Sequence, residues 1–308
     1  MTKYLNVIYC FDHDYAFQAF TSLVSLLENS DESINVFLIV DSNKVSEELP
    51  DFIKNHSNLN KLEIKIFKDN NYSFPNLDNV HVSRATYFRM FLENYIPNEV
   101  SEAIYIDADT VFVKNPIKSI NYNMQMFLKS NKILAARTEQ YFTDNIEKDK
   151  FERLNIKTSY FNAGVMLINF KLWKESQFTK KLIINMNKLA KNIVQWDQDV
   201  LNTTLNGSYF ELQKELNFNS NNFTKRMDDV ILIHFIGSKK PWNTSGAFNY
   251  SSNFYHKYYS LFSKNNYHIK HIWKKASIIE LFKGIFTLKI FKLNNPLKYF
   301  IDFIKSLK

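Results

Sequence analysis

The chain has 308 residues, 45% hydrophobic and 16% aromatic, with only 5 Gly, 6 Pro and a formal charge of +8. That is enough apolar material for one large core or two modest ones, and it excludes a disordered, fibrous or linker-rich protein. A single cysteine, Cys10, excludes a disulfide framework and a cysteine metal cluster and points to a reducing compartment, the cytosol being the simplest.

Taken in chain order, the apolar run in "MTKYLNVIYCFDHD" is too short for a signal-peptide core, lacks a small-residue cleavage site, and reads as a strand over residues 5–11. "AFQAFTSLVSLLENS" (16–30) has helical spacing, and "INVFLIV" (34–40) and "LEIKIF" (62–67) are β-rich apolar runs. "TYFRMFLENYIP" (86–97) reads as a helix, "AIYI" (103–106), 131–136 and 162–170 as strands, 176–192 as a helix, and the Asn-rich "NFNSNNFTK" (217–225) as a loop. Strand and helix alternate without a linker, which predicts an α/β fold with a mainly parallel central sheet, helices on both faces, and ligands at the carboxyl ends of the strands. Neither GxGxxG nor GxxxxGK[ST] occurs, and no window reaches the roughly 18 uninterrupted apolar residues of a spanning helix.

The charge is concentrated at the end. From His268 to Lys308 nine Lys stand against Glu280 and Asp302, interleaved with Ile, Leu, Phe and Trp. This predicts two or three short helices, broken at Gly284 and around 294–296, each with an apolar stripe beside a cationic one. The chain is accordingly divided into a main unit at 1–250 and a basic amphipathic helical region at 251–308. That region suits an anionic membrane surface and hence peripheral attachment to the inner face of the cytoplasmic membrane; the alternative is that the helices dock on the main unit with Lys outward. Nucleic acid is not expected, because no recognition module surrounds the lysines.

Three Asp-x-Asp patterns occur: Asp12/Asp14, Asp107/Asp109 and Asp197/Asp199. Random placement would supply about one, so context must separate them. Asp107 and Asp109 leave the strand "AIYI" one residue apart, and two carboxylates directed together repel unless a cation lies between them. A hard divalent ion accepts carboxylate oxygens and leaves positions for substrate phosphates.

The string "SRATYFRMF…YIDADTVF…YFNAGVMLINF…WDQDVLN…IHFIGSKKPW", within about residues 6–242, resembles in order and spacing the family 8 glycosyltransferases, the retaining group that includes bacterial lipopolysaccharide galactosyl- and glucosyltransferases and glycogenin. The resemblance implies a GT-A (Rossmann-like) nucleotide-sugar-binding fold, a UDP-hexose donor such as UDP-galactose or UDP-glucose, and a bound Mn²⁺, with Mg²⁺ as the alternative. It implies that Asp107, Asp109 and His234 hold the metal, with Ala108 among the donor contacts, and that Gly237 and Lys240 meet the diphosphate. Asp12 would accept from the uridine, Tyr15 would stack on the uracil, and Asp14 is either a ligand or the N-cap of the following helix. Arg89 would bridge the donor sugar and the acidic pair, while Asn162, Ala163, Gly164 and Asp197 would line the sugar pocket. Gln198 would lie beneath the anomeric carbon. Ser83 and Thr86 are further candidates, Glu139 falls near an acceptor position, Lys239 is expected to face solvent, and Trp242 is expected to pack. The implied acceptor is a glycan or glycolipid such as lipopolysaccharide or another surface glycan. Gln198 is a poor nucleophile, so retention is expected by same-face attack, with Asp197 as the alternative covalent nucleophile. The competing readings are a catalytically silent, membrane-associated nucleotide-sugar-binding protein and a nucleotidyltransferase; the latter would call for a Gly-rich basic loop after the first strand, where this chain has "FDHDYAF".

Overall fold

The computed structural model describes residues 4–68, 72–75, 83–144, 146–224 and 227–308. Ten strands occur among them: β1 (Leu5–Phe11), β2 (Ile34–Val40), β3 (Leu59–Ile66), β4 (Glu102–Ile106), β5 (Thr110–Phe112), β6 (Leu134–Tyr141), β7 (Ser159–Asn169), β8 (Phe210–Glu211), β9 (Phe218–Asn219) and β10 (Leu232–His234). Seven form the central sheet in the order β3-β2-β1-β4-β7-β6-β8, and the other three a small sheet in the order β5-β10-β9.

Apolar runs without polar alternation, as in β1 and β2, are strands buried on both faces. Their period of two sends Val7, Tyr9, Val36 and Leu38 into one core, shared with the helix Ala16–Asn29. Ile8, Cys10, Phe37 and Ile39 go into a second core on the other face, shared with Phe88 and Trp173. The pairings β1–β2, β2–β3, β1–β4 and β6–β8 are parallel, as expected of an alternating chain. β7 is the exception, antiparallel to both β4 and β6, so the sheet is mainly and not wholly parallel.

Several expectations need correction. Residues 84–94 form tight 3-10 turns with a break at Phe91 instead of an α-helix. Strand 131–136 begins later, at Leu134, and runs on to Tyr141. The Asn-rich segment contains the short strand β9 and a turn at 220–222, with Lys225 outside the described residues. Gly284 does not break a helix: it lies within the helix Lys274–Phe286, where a Cβ would come within 2.3 Å of the Phe248 ring. Close packing, not chain reversal, is the reason for glycine there. A boundary at 250/251 does not divide the cores either. The helix Ser252–Phe262 places Tyr255, Tyr258 and Tyr259 in the β1 core, while a separate small cluster joins Ala247 and Phe248 to Tyr267, Leu281, Tyr299 and Phe303. No described helix is long and apolar enough to cross a membrane.

Candidate active site

β4 ends at Ile106, and the turn 107–109 carries the chain into β5. The turn is tied from both sides: Asp107 N donates to Gly164 O of β7 at 2.7 Å, and Thr110 Oγ1 donates to Asp107 O at 3.0 Å. β5 pairs antiparallel with β10, setting Thr110 opposite His234, and Phe235 N donates to Asp109 O at 2.9 Å. Register alone therefore carries a histidine 125 positions away in sequence to the acidic turn. His234 Nε2 lies 3.2 Å from Asp109 Oδ1 and 4.0 Å from Asp107 Oδ2. One ligand atom from each of Asp107, Asp109 and His234 falls within 4.8 Å of the others.

The imidazole is only 4% exposed and is aimed by a relay of amides. His234 Nδ1 meets Asn217 Oδ1 at 2.9 Å, Asn217 Nδ2 donates to Asn162 Oδ1 at 3.0 Å, and Asn162 Nδ2 donates to Glu139 Oε1 at 2.9 Å. An Nδ1–H donated to Asn217 would leave Nε2 as the nitrogen available to an ion lying between the ring and the carboxylates, the arrangement that a metal ligand requires. Gly164 closes the space behind it: a Cβ there would lie 2.1 Å from His234 Cε1 and 2.9 Å from Asp107 Oδ2. Two carboxylates and an imidazole at this spacing fit a divalent ion that accepts mixed oxygen and nitrogen ligands.

Two cations flank the carboxylates. Lys240 Nζ donates to Asp109 Oδ2 at 2.5 Å and to Phe235 O at 2.6 Å. Burial works to raise the Asp109 carboxyl, but the Lys240 ammonium and the His234 ring against it outweigh burial and hold it well below the usual carboxylate range. Arg89 joins two of the Asp-x-Asp patterns: Nη1 is 3.0 Å from Asp107 Oδ1, Nε is 2.6 Å from Asp197 Oδ2, and Nη1 also donates to Ala163 O at 2.7 Å. Nε–H is directed at Thr86 O, 3.2 Å away, so its attraction to Asp197 is chiefly Coulombic. Burial opposes the charge on Arg89, and Asp107 and Asp197 more than restore it. Asp197 is 1% exposed, and burial pushes its carboxyl up to about 6 against the pull of Arg89 and of the Thr86 hydroxyl, which donates to it. Three carboxylates against two permanent cations leave the pocket one charge short of neutral, so a bound dication would make it net positive, the sign a diphosphate needs.

The Gln198 amide is fully engaged: Oε1 accepts from Ala163 N at 2.9 Å, and Nε2 donates to Gln195 Oε1 at 3.0 Å and to Tyr160 Oη at 3.3 Å. Asp199 has a structural task, accepting the Val194 and Gln195 amides at 2.8 and 2.9 Å and pairing with Arg153 at 2.9 Å, which anchors the helix Trp196–Leu205.

At the end of β1 the capping expectation is corrected. Asp12, not Asp14, caps, accepting from Tyr15 N at 2.9 Å, whereas Asp14 is exposed and offers its carbonyl to Lys270 Nζ at 2.7 Å. Tyr15 is half-buried, with its ring edge-on to Trp242 at 6.0 Å. Burial raises its hydroxyl pKa, and the charges of Asp109, Asp12 and Asp107 raise it further, so it stands in the field of the acidic pair. Trp242 packs as expected, on Tyr255 and His268 as well as Tyr15, and Lys239 faces solvent. Gly237 has φ +83°, a left-handed conformation that only glycine adopts without strain. Ser83 caps the 84–94 turns by accepting from Ala85 N. Sequence reasoning missed Asn217, which it absorbed into a loop, and Tyr105, whose hydroxyl donates to Asp107 Oδ1 at 2.6 Å. Tyr105 alternates with Asp107 on one strand and was legible in principle; Asn217 depends on the β9–β10 pairing and left no local signal.

The chain resembles known proteins in sequence and in fold. The model of the family described as "Glycosyl transferase family 8" matches residues 6–246. "General stress protein A" of Bacillus subtilis is 25% identical over 279 residues, covering 82% of this chain and 92% of that protein. "Lipopolysaccharide 1,2-glucosyltransferase" of Escherichia coli is 28% identical over 257 residues, covering 78% of this chain and 73% of the relative. Among solved structures, the galactosyltransferase LgtC in complex with donor and acceptor sugar analogs superposes with a TM-score of 0.70 at 19% identity, covering 88% of this chain and 99% of the other.

Proposed function

We propose, since this chain belongs to glycosyl transferase family 8, that it is a Mn²⁺-dependent retaining enzyme moving a hexose from a UDP-sugar to a hydroxyl of a glycan acceptor. The observation that carries this reading is the convergence of Asp107, Asp109 and His234 with Lys240 and Arg89 at the carboxyl ends of β4 and β10. Asp107, Asp109 and His234 would hold the ion, which when bound offsets the charge of the donor diphosphate. Lys240, which pairs with Asp109 in this structure, would neutralise the leaving oxygen of the diphosphate, and Gly237 would let the backbone approach the phosphates. Tyr15 and Asp12 would receive the uracil and uridine, with Ala108 among the donor contacts. Asn162, Ala163 and Gly164 line the sugar pocket together with Asp197.

In this reading Gln198 lies beneath the anomeric carbon, where it would present an amide and not a nucleophilic carboxylate. Asp197 is a poor substitute, because its carboxylate is already bound by Arg89 and Thr86. Retention therefore follows from same-face attack. The bond from the anomeric carbon to the diphosphate oxygen breaks, the acceptor oxygen bonds to that carbon from the same side, and the acceptor proton passes to the departing diphosphate.

A lipopolysaccharide-type acceptor is supported by the named activity of the Escherichia coli relative, and a membrane-bound acceptor suits the C-terminal helices. Trp273, Phe286, Leu288, Phe291 and Leu297 are each two-thirds or more exposed beside Lys274, Lys275, Lys283 and Lys289. Such a face partitions into an anionic bilayer surface, which supports peripheral attachment at the cytoplasmic side. The test of the core reading is release of UDP from a panel of UDP-sugars with and without Mn²⁺. No release with any hexose, with the metal present, would overturn it.

A further inference from the structure

Beside the site described above, a cavity of about 570 Å³ opens between the turn at 220–222, the loop after β10, residues 249–251 and Lys292. Its polar lining includes Ser220, Asn221, Lys239 and Lys292, and its aromatic lining Phe223 and Tyr250. The two rings stack at 6.3 Å with an interplanar angle of 15°. Hydroxyls and amides around a flat aromatic wall, in a volume of this size, suit a sugar ring or two. Two features go beyond that.

The first is charge. None of the described lining residues is acidic, while Lys239 and Lys292 converge on the cavity from segments more than fifty residues apart. Both are exposed, and neither forms an ion pair with another described residue. Elsewhere in the same neighbourhood lysines are matched, as Lys240 is by Asp109. The second is position. Gly237 lines the cavity, and on either side of it His234 and Lys240 reach the acidic pair, so whatever occupies the cavity lies next to the donor diphosphate.

We infer that this cavity receives the acceptor and that the acceptor is anionic, a glycan bearing a carboxylate or phosphate that Lys239 and Lys292 recognise together. The inference deepens the transferase reading and rests on it. Two exposed pairings of this kind contribute about 1 kcal/mol together, or roughly five-fold in affinity, and salt screens them. Lys292 also gives the C-terminal region a task in substrate choice, because the lysine sits on the turn that follows the helix Lys274–Phe286.

The test titrates the full chain with methyl β-D-glucuronide, glucose 6-phosphate and methyl β-D-glucoside, with and without Mn²⁺ and UDP, followed by ligand-observed NMR. One or both anionic sugars should bind roughly five-fold more tightly than the neutral glucoside at low salt. The advantage should fade in high salt and disappear in the Lys239→Gln/Lys292→Gln variant, with UDP affinity unchanged. The sugar that keeps the advantage distinguishes carboxylate from phosphate. Equal binding of all three, no binding of any, or a preference that survives the double substitution would overturn the inference. Failure of UDP to bind would count against the donor reading alone, since the sugar preference is also measured without nucleotide.

Discussion

Gly164→Ala isolates the metal site from the rest of the fold. The new methyl would sit 2.1 Å from His234 Cε1, 2.8 Å from Nδ1 and 2.9 Å from Asp107 Oδ2, where carbon atoms in contact stay about 3.5 Å apart. Relief requires the imidazole to withdraw by on the order of 1 Å, but the ring is buried and its Nδ1 is held by Asn217. The strand cannot yield easily either, because β7 is hydrogen-bonded to β4 and β6 on both sides. Overpacking of this kind costs about 1–3 kcal/mol of stability, which leaves most domains folded. Displacing one of three ligands and its amide support should lower metal affinity by roughly 10–100-fold. Mn²⁺ affinity from the EPR signal of the free ion, set against a urea unfolding curve, separates the two effects. Gly237→Ala is the control: its Cβ would meet no atom within 4 Å, but φ of +83° makes it strained, so it should lose stability with the metal site intact. If Gly164→Ala bound Mn²⁺ as tightly as the parent, the placement of His234 against the acidic turn would be refuted.

Asp109→Asn should reduce Mn²⁺-dependent UDP release by orders of magnitude while far-UV circular dichroism stays native; an active variant would remove Asp109 from the metal site. Asn217→Leu should weaken Mn²⁺ binding by roughly 10–100-fold through loss of the imidazole's orientation, with Asn217→Gln recovering part of it; equal affinity for the Leu variant would show that the amide relay aims nothing. His256 and His268 are both held neutral by burial, with pKa values pushed down to about 3 from 6.5. The unfolded chain therefore binds more protons than the folded one between those values, and stability is full above pH 6.5 and lost as pH falls towards 3. At pH 5 the loss should reach about 2 kcal/mol per histidine, seen as a lower urea midpoint than at pH 7, and His268→Phe should flatten the profile. Replacing Trp273, Phe286 and Phe291 by Ser should release the protein from anionic liposomes without lowering its melting temperature, since all three side chains are exposed; retained binding would refute membrane contact through this face.

The sequence carried the catalytic layout further than it carried the fold's details, and the reason is physical. Asp107, Asp109 and Asp197 act through residue types and spacings that chemistry restricts, so the text displays them. Lys240 and Arg89 carry no such signal of their own and are singled out only by the resemblance of "GSKKPW" and "TYFRMF" to the family's motifs. The 3-10 character of 84–94 is different: its apolar spacing suits a helix, and only packing of Tyr87, Phe88 and Phe91 against Phe67 and Phe74 selects the tighter turn. The antiparallel β7 is hidden likewise, because a strand buried on both faces reads the same in either direction. Asp14 misled for a more local reason, since either aspartate of "DHD" can cap and the choice depends on where the 3-10 turn begins.

The C-terminal region makes contacts that tie it to the rest of the chain. Lys270 Nζ donates to Asp14 O and stands 5.8 Å over the Tyr15 ring, Lys270 N donates to Trp242 O at 2.8 Å, and His268 stacks on Tyr259 at 4.8 Å. The segment that leads to the exposed helices thus crosses the aromatic corner where the donor base is proposed to rest. Truncation after Tyr267 would remove Tyr299 and Phe303 from the small cluster and Lys270 from Tyr15 together, so loss of activity in a truncated chain could not be assigned to lost membrane contact. Point substitutions on the exposed face avoid that confusion. They also separate the contact of residues 268–270 with Tyr15 from the bilayer contact proposed for the exposed face from residue 272 onward.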